Sequence, residues 1–217
     1  MSKTALIAGS TGLVGQNCLN LLLKSEYYDR VIAVTRKDLS FKHPKLKVIK
    51  TSFDNLEILS GISADDVFSC LGTTIKKAGS KVEFYKIDFS YNLKLAEIML
   101  KNGAKQFLIV SSLGANAVSP VFYSRVKGDL ELALGKLAYE CIHIFRPSLL
   151  LGDREDLRLG EKAAIKSLKF LGPFFKGPLK KWSPIEGEKV AKAMITAAQK
   201  PVLGLQVYEN QELASFL

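Results

Sequence analysis

Three glycines at three-residue spacing, Gly9, Gly12 and Gly15, stand between the apolar run Thr4–Ala8 and the amphipathic run Leu13–Lys24. A turn of this composition lets the chain reverse at Gly9, lets the backbone approach an anion at Gly12, and lets the helix press on the strand at Gly15. The helix behind such a loop presents unsatisfied N–H groups and the positive end of its dipole. The pattern therefore predicts a phosphate cradle made of Gly9, Ser10, Thr11, Gly12, Leu13, Val14 and Gly15. A glycine-rich turn with no ligand would look the same locally, so its surroundings decide.

Those surroundings alternate between two textures. Strand-like segments are Thr4–Ala8, Val31–Thr35, Lys47–Thr51, Asp66–Cys70, Gln106–Ser111 and Cys141–Arg146; helix-like ones are Leu13–Lys24, Val82–Lys101 and Val121–Ala138. The runs ALIA, VIAV, FLIV and IHIF are short and continuous, as in strands buried on both faces. We expect an α/β fold: a doubly wound parallel sheet of six strands with helices on both faces. After Pro147 the glycines and prolines at 152, 160, 172, 173, 177, 178 and 184 punctuate a basic stretch, followed by the helical segment Glu188–Gln199. We read one domain, residues 1–150 a dinucleotide-binding core and 151–217 a small C-terminal lobe over the carboxyl ends of the strands.

At 217 residues, 47% apolar and 24% charged, the chain can bury a core without staples. Its net charge of +10 favours an anionic partner without choosing among nucleotide, nucleic acid and acidic membrane. Lys162, Lys166, Lys169, Lys176, Lys180 and Lys181 interleave with Phe170, Phe174, Phe175 and Trp182, but no nucleic-acid recognition motif accompanies them; a solvated face and a pocket lining account for them, which disfavours nucleic acid. No segment approaches the roughly 18 apolar residues that a bilayer span needs. Met1-Ser2-Lys3-Thr4 runs into the first strand without a charged leader, so we expect a cytoplasmic location. Cys18, Cys70 and Cys141 include no CxxC pair and sit in apolar segments; His43 and His143 are not spaced with them as ligands. Neither disulfides nor a metal is expected.

Where an NAD-binding chain places an acid for the ribose hydroxyls, this one has Thr35-Arg36-Lys37. Arg36 suits a 2′-phosphate, pointing to NADPH/NADP+, although a solvated charge would read alike and Asp38 keeps NADH open. Asp54 suits either the adenine amino group or a helix cap. Leu71, Gly72 and Thr73, after the fourth strand, suit close passage of a nucleotide or an ordinary turn. Ser111 and Ser112 end the fifth strand, and Tyr123 and Lys127 share one face of the next helix. A lysine ammonium beside a tyrosine favours its phenolate, and a serine hydroxyl can polarise a carbonyl while tyrosine transfers a proton. Asp88, Asp153 and Asp156 read as capping or solvated carboxylates with no catalytic role.

In this order, the glycine loop, Asp54, Cys70-Leu71-Gly72-Thr73-Thr74, Ser111-Ser112-Leu113-Gly114-Ala115, Tyr123-x-x-x-Lys127-Gly128 and Arg146-Pro147 resemble the atypical short-chain dehydrogenase/reductases, closest to the Tat-interacting-protein-like branch. The resemblance implies a Rossmann-type fold. It assigns the glycine loop to the diphosphate, Arg36 to the adenosine end, Tyr123 to proton transfer and Lys127 to the nicotinamide ribose. It gives Ser112 to the substrate, with Ser111 as the alternative, and the backbone around Pro147-Ser148-Leu149 to the nicotinamide border. The asparagine used by many standard-length members in a proton relay has no clear counterpart, although Asn92 lies on the relevant helix. The expected activity is oxidoreduction of a small carbonyl or alcohol substrate, with an NADPH-binding regulatory protein, acting through a protein partner, as the alternative. Sugar epimerisation on the same residues ranks below both.

Overall fold

The computed structural model describes residues 3–152 and 181–216. Strand β1 (Lys3–Ala8) leads through the glycine loop into α1 (Leu13–Lys24), then β2 (Tyr28–Thr35), β3 (Leu46–Lys50), a 3-10 stretch at Phe53–Leu59 and β4 (Asp66–Ser69). Short α2 (Ile75–Ala78) precedes α3 (Lys81–Tyr85), which runs through a π-helical stretch, Lys86–Ser90, into α4 (Tyr91–Lys101). Then come β5 (Gln106–Val110), α5 (Phe122–Leu134), β6 (Cys141–Arg146) and the two-residue strands β7 (Leu150–Leu151) and β8 (Ile185–Glu186). Helix α6 (Gly187–Gln199), β9 (Gly204–Glu209) and α7 (Asn210–Leu213) complete the order.

Side-chain alternation along the buried strands builds the layers. Ala5 and Ile7 of β1 join Val31, Ala33, Phe68 and Leu108 beneath α1 and α6. Leu6 and Ala8 join Ile32, Val34, Val67 and Phe107 beneath the 3-10 stretch, α4 and α5. The sheet is parallel throughout, in the order β3-β2-β1-β4-β5-β6-β9, while β7 and β8 pair separately. Because successive connections turn one way from β1 and the other way from β4, their following loops part and leave a crevice at the carboxyl edge. This is the doubly wound α/β fold expected, with one strand more.

The additional strand is β9, parallel to β6 from Cys141↔Gly204 to Arg146↔Glu209. It lies at the sheet edge and is half exposed, so it lacks the continuous apolar run that marked the inner strands. Helix α6 packs on the main core beside this sheet. A correction concerns Val82–Lys101, expected as one regular helix. It is broken by the π-helical stretch, where the Asn92 side-chain amide donates to the carbonyls of Ile87 (3.1 Å) and Asp88 (3.4 Å). The basic and aromatic residues of the tail from Lys162 to Lys180, with Asp153 and Asp156, lie outside the described residues.

Candidate functional site

The crevice begins at the glycine loop. Gly9 turns with φ +82°, and a Cβ there would lie 2.5 Å from the Cys70 carbonyl oxygen; one on Gly15 would lie 2.0 Å from the Gly9 carbonyl oxygen. Both glycines are thus required by packing of the loop on itself and on β4. Gly12 caps α1 with no side-chain bond, and no acid occupies the first turn, so the helix dipole is uncompensated. Ser10 is buried and its Oγ has no hydrogen-bond partner among the described residues. An uncapped helix start beside an orphaned hydroxyl fits a diphosphate, which can accept from both. The Val14 side chain is in the core, leaving only its backbone for such a role. Leu13 also points elsewhere: its side chain fills the space at Gly152 and Gly187, where a Cβ would come within 2.3 and 2.8 Å of it.

Beyond β2, Arg36 is exposed and no acid among the described residues pairs with it. Asp38 is instead bonded to Lys50 at 2.6 Å. Asp54 is not the cap of the 3-10 stretch; Ser52 is, accepting from the Asp54 amide. The Asp54 carboxylate takes Lys86 at 2.7 Å and the Tyr91 hydroxyl at 2.9 Å, and these bonds hold its pKa below the usual range.

Across the crevice, Leu71 is buried, Gly72 is exposed and Thr73 turns its amide to Asp88 Oδ2 at 2.9 Å. Asp88 Oδ1 lies 2.8 Å from Lys127 Nζ, and both side chains are almost wholly buried. Asp88 had been read as a cap or a solvated carboxylate; the π-helical stretch instead turns it inward against α5. Burial alone would lower the Lys127 pKa, but the Asp88 charge, with Tyr123 and Glu131 beside it, outweighs that penalty and raises it. Tyr123 is half-buried, its ring 5.3 Å from that of Phe84, and its hydroxyl makes no hydrogen bond to any described residue. Asn92 is occupied elsewhere, accepting from the Ser69 hydroxyl as well as donating to the π-helical carbonyls.

The two serines separate. The Ser111 hydroxyl is committed to Glu131, which also holds Arg146, itself bonded to Glu209 at 2.8 Å. The Ser112 hydroxyl, by contrast, makes only a 3.4 Å contact with the Leu113 carbonyl. Pro147 is buried and its carbonyl accepts from the Leu113 amide, stitching the loops after β5 and β6 together. Asn210 secures the next residue, accepting from the Ser148 amide and donating to the Ser183 carbonyl. Sequence reasoning gave Asp88, Glu131 and Arg146 no role; the signals at hand were the Arg146-Pro147 motif and the four-residue spacing of Lys127 and Glu131 on one helix face.

A doubly wound parallel sheet with an anion-ready helix start at its switch point defines the Rossmann-type fold of the short-chain dehydrogenase/reductases. The chain belongs to the NAD dependent epimerase/dehydratase family, whose model matches residues 5–124. It is 36% identical over 209 residues to Protein FMP52, mitochondrial, of Candida albicans, covering 93% of this chain and 90% of that protein. It is 31% identical to Protein HTATIP2 of Rattus norvegicus, covering 98% and 88%, in keeping with the resemblance to the Tat-interacting-protein-like branch. In fold it is similar to the YIR035C short chain dehydrogenases/reductase of Saccharomyces cerevisiae, with a TM-score of 0.71, 16% identity and full coverage of both chains. The expected cytoplasmic location is overturned: several FMP52 relatives carry "mitochondrial" in their names. The first residues had been read for a leader, yet they report on how β1 begins and not on where the protein is delivered. Among the described residues no helix is long and apolar enough to cross a membrane.

Proposed function

We propose that this protein is an NADPH-dependent oxidoreductase, mitochondrial like its relatives, that interconverts a small carbonyl and its alcohol. The observation that carries this reading is Tyr123, whose hydroxyl has no hydrogen-bond partner among the described residues, one helical turn from a charged Lys127. The uncapped start of α1 and the Ser10 hydroxyl would hold the diphosphate. Arg36, unpaired among the described residues, could meet a 2′-phosphate, whereas the nearest candidate acid for ribose hydroxyls, Asp38, is engaged by Lys50; this supports NADPH over NADH. Leu71, Gly72 and Thr73 would line the path of the nucleotide, and the Pro147 backbone would border the nicotinamide.

The cofactor, when bound, supplies or accepts the hydride. Ser112 donates a hydrogen bond to the substrate oxygen, Tyr123 transfers the proton at that oxygen, and Lys127 holds the ribose and favours the tyrosinate. Removing the proton donor should cost on the order of 10²–10⁴-fold in turnover. We therefore expect Tyr123→Phe to lose NADPH oxidation across a panel of aldehydes and ketones while calorimetry finds its NADPH affinity unchanged. Binding without turnover of any substrate by the parent protein would favour the regulatory alternative, and no nucleotide binding would defeat both.

A further inference from the structure

We propose that Asp88 is a positioning residue: its buried carboxylate, shared between the Lys127 ammonium and the Thr73 amide, fixes the lysine in place and couples it to the Leu71–Thr73 turn. The inference rests on the function proposed above for Lys127 and adds a residue to which no role had been given. Its geometry is specific. One oxygen lies 2.8 Å from Lys127 Nζ and the other accepts the Thr73 amide at 2.9 Å. The side chain is fully buried, and a Cβ on Gly72 would stand 3.4 Å from Asp88 Oδ1 and 3.7 Å from Lys127 Nζ. The turn and the lysine therefore meet on the same acid, with the Gly72 backbone beside the pair and a Cβ there at ordinary contact distance.

The backbone is shaped for this pairing. Asp88 sits in the middle of the π-helical stretch, a rare wide turn found most often at functional sites. Asn92 braces it by taking the Ile87 and Asp88 carbonyls while its own oxygen is held by Ser69. The charged and titratable groups facing Lys127 are Asp88 from this stretch and Tyr123 and Glu131 from its own helix; Glu131 is already neutralised by Arg146 of β6. Asp88 is consequently the one acid among the described residues free to balance the lysine. Without it a lysine this deeply buried would shed its proton.

The test is direct titration of Lys127 by NMR of its Cε and Nζ, assigned through Lys127→Met, in the parent and in Asp88→Asn. Asparagine keeps an oxygen for the Thr73 amide and removes only the charge. In the parent we expect the ammonium to persist past pH 10; in Asp88→Asn its midpoint should fall by roughly one to several pH units. NADPH affinity, read by fluorescence, should then weaken in the variant at alkaline pH with that same midpoint, while the parent shows no such loss. A merely structural acid would lower stability without moving either titration.

An unchanged Lys127 midpoint in the variant would overturn the proposal, as would a lowered midpoint with NADPH binding indifferent to it. Should Asp88→Asn fail to fold, the parent decides alone: a Lys127 that deprotonates below pH 9 overturns the pairing. Failure of the parent to bind NADPH at any pH, with the lysine titrating as expected, would sink the proposed function and leave the ion pair standing.

Discussion

At the scale of the residue, the glycines of the phosphate loop were legible and Asp88 was not, and the difference is one of range. Gly15 is required because its own loop leaves no room for a side chain, a condition written within seven consecutive residues, and Gly9 is marked by the same spacing although what it avoids is the Cys70 carbonyl after β4. Asp88 acquires its place from a partner on another helix and from a local widening of its own, neither of which apolar periodicity encodes. Ser111 teaches the same lesson: its bond to Glu131 forms only once β5 and α5 are assembled, and spacing in the Ser111-Ser112 doublet gives no sign of it. Gly15→Ala sets a methyl group against the Gly9 carbonyl, backbone against backbone, where neither side can yield cheaply. We expect a loss of about 2–4 kcal/mol in urea unfolding, alongside weakened NADPH binding.

At the scale of the element, the inner strands and α1 were readable because burial on both sheet faces and on one helix face imposes patterns on sequence. The edge strand β9 and the π-helical interruption obey weaker rules and were not. Element ends carry much of the site's rigidity. Glu131 on α5 joins the ends of β5, β6 and β9 through Ser111, Arg146 and, beyond it, Glu209. Glu131→Ala leaves the Ser111 hydroxyl without its acceptor and Arg146 with one acid instead of two. We expect it to destabilise the fold by about 2–3 kcal/mol in urea denaturation. Because Ser112 follows Ser111 directly, turnover should fall by more than the unfolded fraction explains, which a comparison at matched folded population would show.

At the scale of the whole molecule, the pH range of stability follows from a group far from the chemistry. His143 on β6 is fully buried, one ring nitrogen on the Tyr208 hydroxyl at 3.0 Å and the other without a partner among the described residues. Burial pushes its pKa down to about 4 from 6.5. Between those values the unfolded chain binds a proton that the folded chain refuses, so stability declines as pH falls through this window and levels off below it. The full difference amounts to about 3 kcal/mol. His143→Leu should flatten this part of the curve in denaturant titrations taken at pH 7.5, 5.5 and 4.5. A final consequence follows from the β7–β8 pair. The chain departs after Gly152 and is back at Lys181, with Leu150 and Ile185 side by side, Ser148 tied to Ser183, and Leu13 wedged between Gly152 and Gly187. The residues on either side of positions 153–180 are thus pinned to each other and to the start of α1, so a change of sequence length between them would leave every strand of the sheet where it stands.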